Sequence, residues 1–268
     1  MRLFTDGIHY HLELHQSKKR LPYLLMIHGF MGSGRAFSHL IKDLSEFCNP
    51  ITIDAAGHGK TVTPEDADLF SAERQVTQIK SILDRLSFEN LFVYGYSMGG
   101  RLAFQLLVHL NQYFIGAIIE SAHCGIQNQH ARNERRILDD KRAKQITNNF
   151  DEFLKNWMEM PLFRSESGKS SNNYSKIMRE QNPDLLAKSL RRFGAGVMPP
   201  VCDKLKSLQI PTTLIAGEND KKYVKQLSSI AELNQNFTFN KVPNAGHRVH
   251  TDQPNALIKI LRSTISNI

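Results

Sequence analysis

Hydrophobic and polar residues alternate near the start of the chain and then gather into short, uninterrupted apolar runs. Residues 2–5 and 8–14 alternate with period two around Asp6-Gly7, which predicts a β-hairpin. A continuous run such as Tyr23-Leu24-Leu25-Met26-Ile27 is typical of a strand buried on both faces of a sheet. Similar runs predict further strands at 50–54, 91–94, 114–120, 212–217 and 237–242.

Helical patterns fall between these runs, at 36–47, 72–86, 101–110 and 255–265. Strands that alternate with helices predict an α/β fold, with a mainly parallel, doubly wound sheet. Residues 123–198 break the rhythm, because they are helical, rich in Arg, Lys, Asn and Glu, and contain a Ser/Asn-rich loop at 165–173. We therefore expect a core of residues 1–122 and 199–268 and an inserted helical cap at 123–198.

The length and the net charge of the chain limit the number of domains and the kinds of partner to be considered. The 268 residues suit one large α/β domain or a core with an insertion, and the formal charge is +8. Nucleic acid, an anionic small molecule and ordinary surface charge could each account for that excess, and composition alone favours surface charge. The basic residues are spread along the chain without a nucleic-acid-binding motif, so we expect no nucleic-acid partner.

The cysteines and the apolar runs indicate the cellular compartment in which we expect the protein. Cys48, Cys124 and Cys202 are an odd number without metal-type spacing, which predicts a reduced, cytoplasmic protein without disulfides or zinc. No apolar run approaches the length of a membrane span. The first six residues lack the apolar core of a signal peptide.

The segment Gly95-Tyr96-Ser97-Met98-Gly99 lies between a predicted strand and a predicted helix. A bare G-x-S-x-G is common, but in this context it is typical of a nucleophile elbow, in which a strained turn exposes the serine hydroxyl. The flanking glycines allow close packing where a side chain would clash. An ordinary glycine-rich turn is the simpler alternative, and we predict that Ser97 is the reactive residue.

A serine hydroxyl reacts only when a histidine takes its proton and a carboxylate orients that histidine. Chains with this elbow supply the groups in the order serine, acid, histidine. The late strand at 212–217 is followed by Glu218 and Asp220. We choose Asp220, because a side chain directly after the strand has less room to swing towards the histidine. A carboxylate that only favours the following helix N-terminus is the alternative for Asp220.

Several histidines compete for the role of base. His247 follows the last strand in a tight Ala-Gly-His turn, and we prefer it to His250 and to the alternative of an ordinary loop histidine. His28 and His58 adjoin glycines in loops, and we interpret both as structural. The backbone N–H groups of Phe30 and Met98 are predicted to form an oxyanion hole beside Ser97.

Four segments carry a wider resemblance: His28-Gly29-Phe30-Met31-Gly32-Ser33, Gly95-Tyr96-Ser97-Met98-Gly99-Gly100-Arg101, Arg132-x-x-Arg135-Arg136-x-x-Asp139-x-x-x-Ala143 and Trp157-x-x-x-Pro161-Leu162-Phe163. Together with Gly-Glu-Asn-Asp and Ala-Gly-His they make the chain, from about Tyr23 to its end, similar to the α/β-hydrolase superfamily. Within that superfamily it most resembles the 2-succinyl-6-hydroxy-2,4-cyclohexadiene-1-carboxylate synthases of menaquinone biosynthesis. The cap segments are the more discriminating ones. The chain has Ala56 and Cys124-Gly125 where this family commonly has proline and Pro-Gly.

The resemblance implies a cofactor-independent lyase that eliminates pyruvate from a cyclohexene bearing a carboxylate, a succinyl arm and an enolpyruvyl ether. It implies a catalytic triad of Ser97, Asp220 and His247. It further implies substrate contacts by Tyr96, Arg101, Arg135, Trp157 and Arg179. Arg101 lies one helical turn after Ser97 on the same face and could point at the site, with a solvated arginine as the alternative. The alternatives for Arg135 and Trp157 are a basic helix face and packing within the cap core.

The chemistry of the implied substrate agrees with the arginines. Three carboxylates favour several guanidinium groups, because arginine binds carboxylates bidentately and stays charged. A neutral ester would gain nothing from Arg101 and Arg135, and burying them unpaired would be costly. We therefore expect an anionic small-molecule substrate with several carboxylates, and either a monomer or a homodimer. A carboxylesterase or carbon–carbon bond hydrolase, and a non-catalytic ligand-binding protein, remain the rival functions.

Overall fold

The computed structural model describes residues 1–64, 66–160 and 171–267. Within these residues the strands are β1 Arg2–Thr5, β2 Ile8–Leu14, β3 Tyr23–Ile27, β4 Asn49–Ile53, β5 Leu91–Tyr96, β6 Gly116–Glu120, β7 Thr212–Gly217 and β8 Phe237–Val242. They form one sheet in the order β1-β2-β4-β3-β5-β6-β7-β8.

The sheet is antiparallel only at its N-terminal edge. β1 and β2 form the predicted hairpin, and β2 pairs antiparallel with β4. The six strands from β4 to β8 in the sheet run parallel, so their carboxyl ends lie along one edge. Every residue of β4, β5, β6 and β7 is buried, as the continuous apolar runs predicted. The predicted α/β fold with a mainly parallel sheet is confirmed.

Helices cover both faces of this sheet. The described α-helices are α1 Ile41–Leu44, α2 Ala72–Leu86, α3 Met98–His109, α4 Gln129–Asn148, α5 Phe150–Met158, α6 Ser171–Arg179, α7 Pro183–Phe193, α8 Lys221–Ala231, α9 Val249–Asp252 and α10 Pro254–Ser266. Short 3₁₀ turns lie at Gly34–Phe37, Ala67–Phe70, Asn111–Tyr113 and Cys202–Ser207. No helix in the described part of the chain is both long enough and apolar enough to cross a bilayer.

The single helix predicted at 36–47 is wrong. The structure has the 3₁₀ turn Gly34–Phe37, with Leu40 N–H donating to the Phe37 carbonyl, followed by the one-turn helix α1. Buried Phe37, Leu40 and Leu44 fall three and four residues apart. That spacing places side chains on one face of either kind of helix, so periodicity could not separate the two.

Helices α4 to α7 lie between β6 and β7, where the inserted cap at 123–198 is predicted. The prediction that 165–173 is a loop is wrong at its end, because α6 begins at Ser171; serine and asparagine are also common at helix starts. The rest of that loop, and the motif residues Pro161, Leu162 and Phe163, lie outside the described residues.

The prediction of a chain without disulfides is also wrong. Cys124 and Cys202 form a disulfide, with Cα atoms 5.0 Å apart, and the two residues are 78 positions apart in sequence. Cys124 follows β6 and Cys202 precedes β7, so the return of the intervening helices to the core brings the two together. Spacing along the chain could not reveal a pair made by that fold. Cys48 is free and buried.

Candidate active site

Ser97 lies at the sharp corner between β5 and α3. Its backbone has φ 52° and ψ −108°, which confirms the predicted strained turn. Its N–H donates to the Glu120 carbonyl at 2.9 Å, which fixes the corner to β6. A Cβ at Gly99 would lie 2.1 Å from the Ile27 carbonyl oxygen, so only glycine permits this approach of α3 to β3.

Ser97, His247 and Asp220 form one hydrogen-bonded series. His247 Nε2 lies 3.0 Å from Ser97 Oγ, and His247 Nδ1 lies 2.7 Å from Asp220 Oδ2. His247 and Asp220 are both buried, with exposed fractions of 2 % and 6 %. When Nδ1–H donates to Asp220, Nε2 presents its lone pair to the serine hydroxyl, which is the arrangement that a general base requires.

Asp220 has two contacts that fix its carboxylate. It is the N-cap residue of α8, where Oδ1 accepts from the Tyr223 N–H at 3.4 Å while Oδ2 faces His247. The helix-capping role and the orienting role therefore coexist in one side chain. Glu218 points elsewhere, towards Lys241 at 3.8 Å.

The competing histidines have structural partners. His250 is fully buried, and its Nδ1 lies 2.8 Å from Glu120 Oε1, a carboxylate that also accepts from the Tyr94 hydroxyl. His28 accepts from the Ala55 N–H at 3.0 Å through Nε2. Burial, followed by the proximity of His28, lowers the pKa of His58 to about 3, so His58 is neutral at physiological pH.

The two predicted oxyanion donors both follow the carboxyl ends of parallel strands, at the same edge of the sheet. Phe30 follows β3, and Met98 is the first residue of α3, where the helix dipole favours negative charge. Among the described residues, the backbone N–H groups of Phe30 and Met98 have no hydrogen-bond acceptor. Both groups are therefore available to a developing oxyanion.

Arg101 is buried in the first turns of α3, with 8 % of the residue exposed. Its guanidinium donates to the Phe193 carbonyl at 2.9 Å and lies 5.1 Å from the centre of the Phe193 ring. Burial and the proximity of Arg135 lower its pKa to about 10, so it remains charged at neutral pH. No described carboxylate forms an ion pair with it. A buried, unpaired cation of this kind is costly unless an anionic ligand neutralises it.

Arg135 extends this positive region into the cap. Its Nε donates to Asp139 at 2.8 Å, and the same buried carboxylate lies 3.8 Å from Arg142. Burial, assisted by Arg135, also lowers the pKa of Lys222. Two arginines thus share one aspartate, which leaves a surplus of positive charge in this region.

Trp157 contacts the loop that carries Phe30, one of the two predicted oxyanion donors. Its ring meets Phe30 edge to face at 5.7 Å, and Phe153 stacks on it at 5.5 Å. The Arg142 guanidinium lies 5.3 Å from the centre of the Trp157 ring. Trp157 therefore packs within the cap and also borders the site, so the two interpretations from sequence are compatible.

Tyr96 and Arg179 occupy different surroundings. Tyr96 is buried beneath the triad, 5.5 Å from the His247 ring and 4.5 Å from the His250 ring. Arg179 has a side chain that is 56 % exposed and lies 3.6 Å from Asp151. The structure brings Arg179 into no contact with the triad in the described part of the chain.

Sequence reasoning missed three residues near the site. Arg142 follows Arg135 by seven positions, which places both on one face of α4, and Lys222 lies in the first turn of α8. The Tyr223 ring packs 4.8 Å from the His247 ring. Helical spacing could have indicated Arg142, whereas Lys222 and Tyr223 could have been found only from their proximity to Asp220.

Comparisons with known proteins agree with this geometry. A family model described as the alpha/beta hydrolase fold matches residues 22–254. The chain therefore belongs to the α/β-hydrolase family.

Its relatives include proteins of one particular activity. A putative 2-succinyl-6-hydroxy-2,4-cyclohexadiene-1-carboxylate synthase of Bacillus subtilis is 30% identical, over 98% of this chain and 97% of its own length. A synthase of the same name from Salmonella paratyphi A is 26% identical, over 90% of this chain and 94% of its own. Among solved structures, MenH from S. aureus superposes with a TM-score of 0.91 at 28% identity, covering 97% of this chain and 98% of that one.

Proposed function

We propose that this protein is a lyase that eliminates pyruvate from 2-succinyl-5-enolpyruvyl-6-hydroxy-3-cyclohexene-1-carboxylate. The product is 2-succinyl-6-hydroxy-2,4-cyclohexadiene-1-carboxylate, the compound in the names of its relatives. The observation that carries this proposal is the buried guanidinium of Arg101, which is charged and lacks a carboxylate partner among the described residues beside the triad. An anionic substrate supplies the missing partner.

The reaction begins with proton transfers among the triad. His247, oriented by Asp220, takes the proton of Ser97 across the 3.0 Å hydrogen bond. The Ser97 alkoxide then acts as a base and removes the ring proton α to the succinyl ketone. The double bond shifts around the ring and the enolpyruvyl group leaves; protonation converts it into pyruvate. These steps need only proton transfers, so the reaction requires no cofactor.

The rest of the site stabilises charge. Negative charge develops on the ketone oxygen, and the N–H groups of Phe30 and Met98 donate to it. Each such donor typically contributes about 3 kcal/mol. Arg101 and Arg135 bind substrate carboxylates, and Trp157 covers the ring. We place the activity in the cytoplasm, because a substrate with three ionised carboxylates does not cross a bilayer unaided, and we assign it no nucleic-acid partner.

The test measures pyruvate release from the enolpyruvyl precursor, generated in situ by the preceding enzyme, with p-nitrophenyl butyrate hydrolysis in parallel. We expect pyruvate release well above the spontaneous rate, weak ester cleavage, and loss of at least about 100-fold in kcat for Ser97→Ala. Near-normal turnover by Ser97→Ala would disprove the proton-transfer mechanism. Strong ester cleavage without accelerated pyruvate release would instead identify a hydrolase that uses Ser97 as a nucleophile.

A further inference from the structure

Two chain segments connect the helices α4 to α7 to the core, and we call residues 122–125 and 199–202 together the cap neck. The disulfide between Cys124 and Cys202 joins the two segments and closes a 78-residue separation. One backbone hydrogen bond accompanies it, from the Val201 N–H to the Cys124 carbonyl at 2.8 Å. The covalent bond is therefore the strongest link between the outgoing and returning chain.

The two segments of the cap neck pack directly against each other. Gly125 has φ +120°, and a Cβ there would lie 2.3 Å from the Cα of Pro200. The neighbouring Pro199 carbonyl accepts from Gln105 Nε2 at 2.8 Å, which ties the returning segment to α3. Because α3 also carries Arg101, a shift of the cap neck acts on an element of the site.

The outgoing segment reaches the triad through two aromatic contacts. His123 precedes Cys124, and its Nδ1 accepts from the Gly125 N–H at 3.1 Å. The His123 ring stacks on Tyr223 with 6.5 Å between centroids, and Tyr223 lies 4.8 Å from the His247 ring. A movement of the outgoing segment would therefore act on Tyr223, which packs against His247, the candidate base.

The residues just before the returning segment pack against the helix that carries the cap arginines. A Cβ at Gly196 would lie 2.4 Å from the backbone N of Arg136, so the chain leading into the returning segment lies backbone to backbone against α4. Arg132 on the same helix donates to the Val197 carbonyl at 3.4 Å. Since α4 also carries Arg135, a shift of the returning segment acts on the helix that positions this guanidinium, through the adjoining residues 196 and 197.

The two cysteines differ in accessibility. Cys124 is 4 % exposed, whereas Cys202 is partly exposed, so Cys202 is the more accessible of the two to an external thiolate. We propose that Cys124–Cys202 is a redox-modification site, reduced by a dithiol, whose oxidation state sets how tightly the site holds its anionic substrate. The substrate part of this proposal rests on the proposed function.

The exchange reaction balances in two steps. A thiolate of the dithiol attacks Cys202 Sγ, the S–S bond breaks, and Cys124 leaves as a thiolate that takes up a proton. The second thiol of the reductant then displaces Cys202 as a free thiol. The protein gains two electrons and two protons, and the dithiol becomes a disulfide.

The experiment compares oxidised protein with protein treated with dithiothreitol, after free thiols have been counted with and without denaturant. We expect one free thiol in the oxidised protein and three after reduction. On reduction KM for the precursor should rise at least threefold, while kcat changes less than twofold. A Cys124→Ser/Cys202→Ser variant should show the raised KM and ignore dithiothreitol, whereas Cys48→Ala should respond as the wild type does.

Two results would overturn the proposal: three free thiols in protein purified without reductant, or an unchanged KM on reduction. Amide hydrogen exchange of residues 122–136 supplies a readout independent of catalysis, and it should accelerate on reduction. If neither redox state releases pyruvate, the proposed function fails, and the exchange measurement alone decides on the redox site.

Discussion

Replacing Ser97 by glycine should remove the activity and at the same time make the fold more stable than replacement by alanine does. Ser97 has φ 52° and ψ −108°, a conformation that costs a residue with a side chain about 1–3 kcal/mol. Glycine relieves that strain but loses about 0.5–1 kcal/mol more backbone entropy on folding than alanine. Both substitutions remove the hydroxyl that His247 faces, so this loss cancels between them. The net difference should favour Ser97→Gly over Ser97→Ala by about 1 kcal/mol.

The assay is equilibrium unfolding in urea, with pyruvate release measured on the same preparations. Thermal unfolding gives a second readout of the same difference. With an unfolding entropy of about 2.1 cal/mol/K per residue and 268 residues, about 1 kcal/mol corresponds to a Tm difference of about 2 °C. Ser38, exposed at φ −54° and ψ −33°, is the matched control, because there glycine should be less stable than alanine. If Ser97→Gly proved no more stable than Ser97→Ala while the Ser38 pair behaved as expected, the strain argument would be refuted.

Three further predictions concern pH, the disulfide and the site charge. The unfolded state binds a proton at His58 below about pH 6.5, but the folded state does so only near pH 3, so the free energy of unfolding decreases as the pH is lowered through that window. Between pH 7 and pH 5, the His58→Asn variant should therefore lose about 2 kcal/mol less unfolding free energy than the wild type, measured by urea unfolding. Equal losses in the two proteins would contradict this. Reducing Cys124–Cys202 should lower the free energy of unfolding by about 4–5 kcal/mol in the loop-entropy model, and an unchanged calorimetric Tm would contradict it. Arg101→Met should raise KM about tenfold or more, because a charge-assisted hydrogen bond contributes about 1.5–3 kcal/mol. The KM of Arg101→Lys should lie between those of the wild type and Arg101→Met. An unchanged KM for Arg101→Met would show that Arg101 does not bind the substrate.

The parts of the structure that the sequence predicted are those with local signals. The elbow at Ser97 is encoded by adjacent glycines between an apolar run and a helical pattern, and the strained turn followed from that spacing. Asp220 and His247 each follow a strand of the parallel sheet, and parallel strands bring their carboxyl ends to one edge. Local pattern and chain order therefore sufficed to name the groups that the structure places together.

What the sequence did not predict depends on contacts between distant segments. The disulfide joins residues 78 positions apart, and an odd cysteine count favoured its absence. The surplus of positive charge around Asp139 arises because Arg142 lies beside the carboxylate that already forms an ion pair with Arg135. Arg179 lies beside Asp151, which no spacing indicated. These features are set by how the cap helices pack, and the polar character of α4 carries little information about that packing.

The loop after β8 is anchored to the sheet at two points by two imidazole–carboxylate pairs. His247 meets Asp220 at the end of β7, and three residues later His250 meets Glu120 at the end of β6. Both carboxylates lie at or just after the ends of sheet strands, and neither is contributed by helices α4 to α7. In the proposed mechanism, a displacement of helices α4 to α7 would therefore leave His247 and Asp220 assembled, so that substrate admission and acid–base chemistry would belong to separate parts of one chain.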